Sequence, residues 1–147
     1  MFTARRLSKV FNSAERIPLD DSSKLVLFSD CHRGDNGWAD DFAQNQNLFF
    51  HALTWYYEAG FTYVEIGDGD ELWENRRFED IRRAHSHIFW RMKAFHEAGR
   101  FHCIWGNHNM VCKDRNWIRK HLHRYYDERK RSYETLFEGI RVREGLV

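Results

Sequence analysis

Apolar and polar positions along this chain fall into two periods. KLVLFSD (24–30), FTYVEIGD (61–68) and RFHCIWG (100–106) are short apolar runs that end in polar residues. Their length and their aromatic and β-branched content predict buried strands. The stretches between them repeat with helical spacing. ADDFAQNQNLFFHALTWYYEAG predicts a helix capped by Asp40 or Asp41, with Phe42, Phe49, Ala52, Leu53 and Tyr56 on its apolar stripe and Gly60 at its end. RFEDIRRAHSHIFWRMKAFHEAG puts Ile81, Ala84, Ile88, Met92 and Phe95 on one face and stops at Gly99. NWIRKHLHRYYDERKR reads as a third helix with a charged outer side, and GIRVREGLV as the beginning of a fourth strand.

Strand, helix, strand, helix, strand predicts an α/β fold of βαβ units with a parallel sheet. The placement of polar residues matters more. SDCH (29–32), GDGDE (67–71) and GNHN (106–109) each follow a predicted strand directly. Open α/β sheets bind ligands beyond the carboxyl ends of their strands, so three clusters distant in sequence are expected to meet at one sheet edge. Residues 1–22 form a separate N-terminal arm or short helix, with Leu7, Val10 and Phe11 on one side. The folded domain is expected over 23–147.

Composition narrows the functional classes. With 42% hydrophobic residues the chain can bury a core, and a net charge of +1 argues against binding nucleic acid through bulk charge. Three cysteines without a C-x-x-C pair indicate neither a disulfide framework nor a thiolate zinc site, and fit a reducing compartment. No segment has the roughly 18 apolar residues of a membrane span, so a cytoplasmic protein is expected. Nine histidines are the informative excess, because imidazole is both the usual acid-base group near neutral pH and a common metal ligand.

Asp30 and His32 are two residues apart, so in extended chain they face the same way. Asp68, with Asp70 and Glu71 nearby, and Asn107 with His108 complete a set of carboxylate, imidazole and amide donors. Such a set suits Mn, Fe, Zn or Mg. Gly67 and Gly106 allow sharp turns beside a ligand. Asp68-Gly69-Asp70 also reads as the D-x-D of nucleotide-sugar glycosyltransferases, which would leave Asp30, His32 and Asn107 unexplained. Arg33, Arg76 and Arg77 flank the clusters and are candidate phosphate contacts.

D-x-H, G-D-x-x-[D/E] and G-N-H in this order resemble the calcineurin-like metallophosphoesterase superfamily. The chain is similar to bacterial members of serine/threonine-phosphatase type and, more distantly, to UDP-diacylglucosamine pyrophosphatases. The resemblance runs from about Lys24 to the end. It implies a two-sheet α/β sandwich and two divalent cations, with Asp30 and His32 on the first, Asp68 bridging and Asn107 on the second. His108 would assist the leaving group, and metal-activated hydroxide would attack a phosphorylated small molecule or phosphoprotein in line.

The chain departs from that family in three ways. Asn109 stands where the family has an acidic residue that orients the histidine. The further histidines of the family, one isolated and one pair in G-H-x-H, are absent, and HLH (121–123) is a poor substitute within a helical pattern. The sheet is also short of strands. The expectation is therefore an amino-terminal portion of a metallophosphoesterase that holds only one of two cations well. The alternative is an impaired or truncated metal-binding or interaction domain of the same fold.

Overall fold

The computed structural model describes residues 2–147, so Met1 of the N-terminal arm lies outside it. Helix α1 (Phe2–Ser13) precedes β1 (Leu25–Phe28), α2 (Gln46–Glu58), β2 (Thr62–Ile66), α3 (Phe78–Ala84), α4 (Ser86–Glu97) and β3 (Phe101–Ile104). Then come α5 (Arg115–His121), the strands β4 (Arg124–Asp127) and β5 (Ser132–Thr135), and the short β6 (Val142–Arg143). Strands β1, β2, β3 and β6 make one parallel sheet in that order. The chain thus has the expected α/β fold, and its fourth strand starts within GIRVREGLV.

Strand alternation decides which side chains the helices cover. Val26, Phe28, Tyr63, Phe101 and Cys103 belong to the core, where Phe28 packs edge-on against Phe49 and Tyr56 of α2 and Tyr63 meets Phe95 of α4. On the opposite face Leu27 and Ile66 remain substantially exposed. Helices α2 and α4 pack against each other over the covered side.

Two expectations need correction. The long helix over 77–99 is broken at His85, which is fully buried and bonds Asp40 through Nε2 at 2.7 Å. Asp40 also accepts the Asn36 and Phe42 N–H groups, so the predicted capping residue ties a loop and the helix break together. The third helix ends at His121, and RYYDERKR is instead an antiparallel hairpin. Turn chemistry overrides the charge pattern there. Asp127 Oδ1 accepts the Arg129 and Lys130 N–H groups, Arg131 adopts φ 51°, and Tyr126 pairs with Tyr133 across the strands. Arg82 lies 3.6 Å from the Tyr125 ring centroid and so fastens the hairpin to α3.

Below the strand ends sits a buried ionic cluster. Arg33 has no exposed surface. It donates to both oxygens of Glu65 at 2.7 and 2.8 Å and to Asp70 at 2.9 Å, while the Tyr63 hydroxyl donates to Glu65 at 2.6 Å. Burial opposes ionisation of Glu65, yet the Arg33 charge and these hydrogen bonds hold its carboxyl below the usual range. Burial and the neighbouring Glu65 charge push Asp70 the other way. Gly69 is required beside this cluster, because a Cβ there would lie 2.1 Å from Glu65 Oε1 and 2.7 Å from an Arg33 nitrogen.

Replacing Arg33 would leave two buried carboxylates without their counter-ion. Arg33→Met is expected to lose about 3–5 kcal/mol of stability in urea denaturation. The control Arg77→Met, which removes an exposed partner of Asp80, should stay within about 0.5 kcal/mol of wild type. A loss under about 1 kcal/mol for Arg33→Met contradicts the role given to the cluster.

Candidate metal centre

Beyond β1 and β2 the chain continues to pair after the regular strands end. His32 N–H donates to the Asp68 carbonyl at 2.9 Å, Arg33 N–H to Gly69 at 2.9 Å, and Glu71 N–H to Arg33 at 2.9 Å. The third loop joins through Leu72 N–H to the His108 carbonyl at 3.2 Å and His108 N–H to Asp68 Oδ1 at 2.7 Å. These bonds bring the loops containing Asp30, His32, Asp68, Asn107 and His108 together. A Cβ on Gly106 would come within 2.3 Å of Asp68 Oδ1, so the third loop needs a glycine to lie this close.

The backbone at these loops is unusual. Asp30, His32 and Asp68 adopt φ of 53°, 50° and 48°. The left-handed region disfavours residues with a Cβ by about 1–2 kcal/mol each. Such strain concentrates at binding and catalytic sites, where surrounding structure over-determines the conformation. Three strained residues belong to the predicted ligand set.

Glu71 is the hub of these loops. Its Oε1 holds the loop, accepting the Trp73 and Glu74 N–H groups. Its Oε2 lies 3.0 Å from His32 Nδ1 and in short contact with His108 Nδ1. The two imidazoles stand edge to face with centroids 4.4 Å apart, and the Trp73 indole stacks on His108 at 4.0 Å. A carboxylate can only accept, so both rings present Nδ1–H to Glu71 and keep Nε2 for other partners. His32 Nε2 faces Asp30 Oδ1 at 3.9 Å, too far for a hydrogen bond and within reach of a shared cation.

Among the described residues one set has its donor atoms within 4.8 Å of one another, namely His32, Glu71 and His108. Of the expected ligands Asp30, His32 and Asp68, the structure brings Asp30 and His32 near each other, with Glu71 as an outer carboxylate of the kind that commonly orients a ligating imidazole, while Asp68 Oδ1 is engaged by His108 N–H. Asn107 is exposed on the third loop, next in sequence to His108. None of these residues contains sulfur. Cys31 packs against the core, and burial pushes its thiol up to about 12, which makes it a poor nucleophile or ligand.

Other expected participants lie elsewhere. Arg33 does not reach a ligand, because the Glu65–Asp70 cluster encloses it, and this corrects its assignment as a phosphate contact. Arg76 and Arg77 are exposed at the approach to α3. Asn109 is buried and accepts Gly106 N–H at 2.6 Å, closing the turn. The carboxylate missing at that position reaches His108 from Glu71 instead. His121 bonds Glu79 at 2.9 Å. Glu65 was legible as a carboxylate at an inward position of an apolar strand, and Trp73 carried no comparable signal.

Comparisons with protein-family models, with curated proteins and with solved structures return no match.

Burial raises the Glu71 carboxyl, but hydrogen bonds from His32, the Trp73 and Glu74 N–H groups and His108 outweigh it and leave the group below its ordinary 4.5. A depressed folded-state value stabilises the protein above the unfolded value and loses that contribution as pH falls through the folded one. Unfolding measured from about pH 6 to pH 3 should therefore show a shallower acid limb for Glu71→Gln than for wild type. Parallel limbs for the two proteins would contradict the depressed value.

Proposed function

We propose that the strand-end cluster is the centre of a metal-dependent phosphoesterase that works in a reducing compartment, the cytoplasm. The observation that carries this reading is the left-handed backbone at Asp30, His32 and Asp68, three spaced donors on adjacent strand ends. The resemblance of SDCH, GDGDE and GNHN to calcineurin-like metallophosphoesterases supports it. So do the three free cysteines, Cys31, Cys103 and Cys112. No helix among the described residues is long and apolar enough to cross a membrane.

In this reading Asp30, His32 and Asp68 hold one divalent cation (Mn, Fe, Zn or Mg), and Asp68 and Asn107 contribute to a second. When bound, the cations supply Lewis acidity toward a phosphoryl oxygen and make water nucleophilic near neutral pH. The residues of the chain do the remaining work. Glu71 accepts Nδ1–H of His108 and fixes the ring so that Nε2 points away from the carboxylate. A protonated His108 then delivers its Nε2 proton to the departing oxygen, as general acids do. Trp73 restricts the ring by stacking and shields one face from water. Arg76 and Arg77 are the exposed cations available to a phosphorylated small molecule or phosphoprotein.

The second reading is a metal-binding domain without turnover. It is favoured by the short donor list at the second position, where Asp68 and Asn107 stand alone. Manganese titration of the chain is expected to give one site, with slow hydrolysis of p-nitrophenyl phosphate or bis-p-nitrophenyl phosphate. Asp68→Asn should abolish both. His108→Ala should keep the metal and lose about 10²–10⁴ of the rate. Equal hydrolysis by wild type and Asp68→Asn sinks the enzymatic reading, and manganese binding without any hydrolysis selects the second.

A further inference from the structure

Behind the free edge of the sheet, α1, α5 and β6 enclose a cavity of about 720 Å³. That volume falls within the range of small-molecule sites. Its walls carry Lys113, Arg115, Arg119, Arg141 and Arg143, with Trp105 at the end of β3 as the aromatic wall. Two carboxylates, Glu15 and Glu144, also line it, and both have partners. Glu15 is in short contact with Arg143 Nε, and Glu144 is 3.4 Å from Arg6. Lys113, Arg115, Arg119 and Arg141 have no carboxylate within 4.0 Å among the described residues.

This concentration of charge is local. The chain as a whole is nearly balanced, with 23 basic and 22 acidic side chains. Four unpaired cations around one concavity therefore create a positive field that bulk composition hides, and concave walls focus such a field on a small anion. Guanidinium groups suit phosphate oxygens because their planar fork can donate twice. The remaining wall is apolar, formed by Ile118, Ile140 and Val142 with the Trp105 ring. Inorganic phosphate would occupy only a corner of such a space.

We propose that this cavity is a binding site for an organic di- or triphosphate, with its phosphates on Arg115, Arg119 and Arg141 and its organic group against Trp105. It is separate from the strand-end centre, and its cations come from α5, the turn before α5 and the approach to β6. An aromatic base can stack on a tryptophan, so ADP should bind more tightly than a bare pyrophosphate. The two carboxylates, already neutralised by arginines, do not oppose the anion.

Calorimetry on metal-free protein tests this, with ADP, inorganic pyrophosphate and adenosine as probes. ADP is expected to bind, pyrophosphate about 5-fold or more weakly, and adenosine not measurably. The double variant Arg119→Gln/Arg141→Gln replaces two exposed side chains and should weaken ADP at least 10-fold. A matched double variant on α1, Arg5→Gln/Lys9→Gln, removes the same charge outside the cavity and should leave ADP binding within 2-fold. Asp68→Asn should also leave it unchanged, which separates this site from the strand-end centre and from the fate of the phosphoesterase reading. Equal weakening by both double variants would reduce the effect to general charge and overturn the proposal. Loss of ADP binding in Asp68→Asn would overturn it too, by moving the nucleotide to the strand ends. Equal affinity for pyrophosphate and ADP would overturn the organic half of the assignment.

Discussion

One guanidinium organises the functional edge of this protein. Arg33 follows His32 directly, Asp70 precedes Glu71 directly, and Glu65 occupies the inward face of β2. Closing the Arg33–Glu65–Asp70 cluster therefore draws the first loop and the second loop onto the same strand. A buried pair of this kind adds little stability over a well-packed apolar substitute, whereas removal of one partner costs several kcal/mol. Its value lies in specificity, because a planar fork with three acceptors admits one arrangement of the chain. Gly69 is part of that arrangement, since the ions occupy the space where its side chain would be.

Above the cluster the geometry passes from rigid to exposed within a few residues. Arg33 is sealed, His32 and His108 are partly open, and Asp30 is largely open to solvent. That gradient leaves the outer side chains open to water while the backbone that carries them is held from below. Glu71 belongs to both layers, with one oxygen closing its own loop and the other facing two imidazoles. Its position also explains how Asn109 can close the turn of the third loop while His108 still has a carboxylate partner.

The parallel core was legible because β1, β2 and β3 are short apolar runs broken by polar clusters, and those clusters fall where the sheet ends. The α2 and α4 stripes followed from helical spacing. Reading failed where a local hydrogen bond outweighed periodicity. Asp127 captures two backbone N–H groups and turns RYYDERKR into a hairpin, and His85 leaves the helical pattern to meet a distant Asp40. At the site, the spacing of D-x-H, G-D and G-N-H placed five residues at one edge. It could not show that Arg33 points inward or that Glu71 points at two histidines, because both depend on which face of an irregular loop a side chain takes. Pairwise tertiary contacts of that kind leave no period in a sequence.

The left-handed backbone at Asp30, His32 and Asp68 has a consequence for kinetics as well as for geometry. Ordering those loops is completed when the sheet forms, and the conformational entropy it removes is charged to folding rather than to capture of a ligand. On the proposed metal-binding reading, an incoming ion would meet loops whose backbone is already set. Its rate of arrival would then be governed more by how fast it sheds its own water, and slow-dehydrating magnesium would load behind manganese even at equal final affinity.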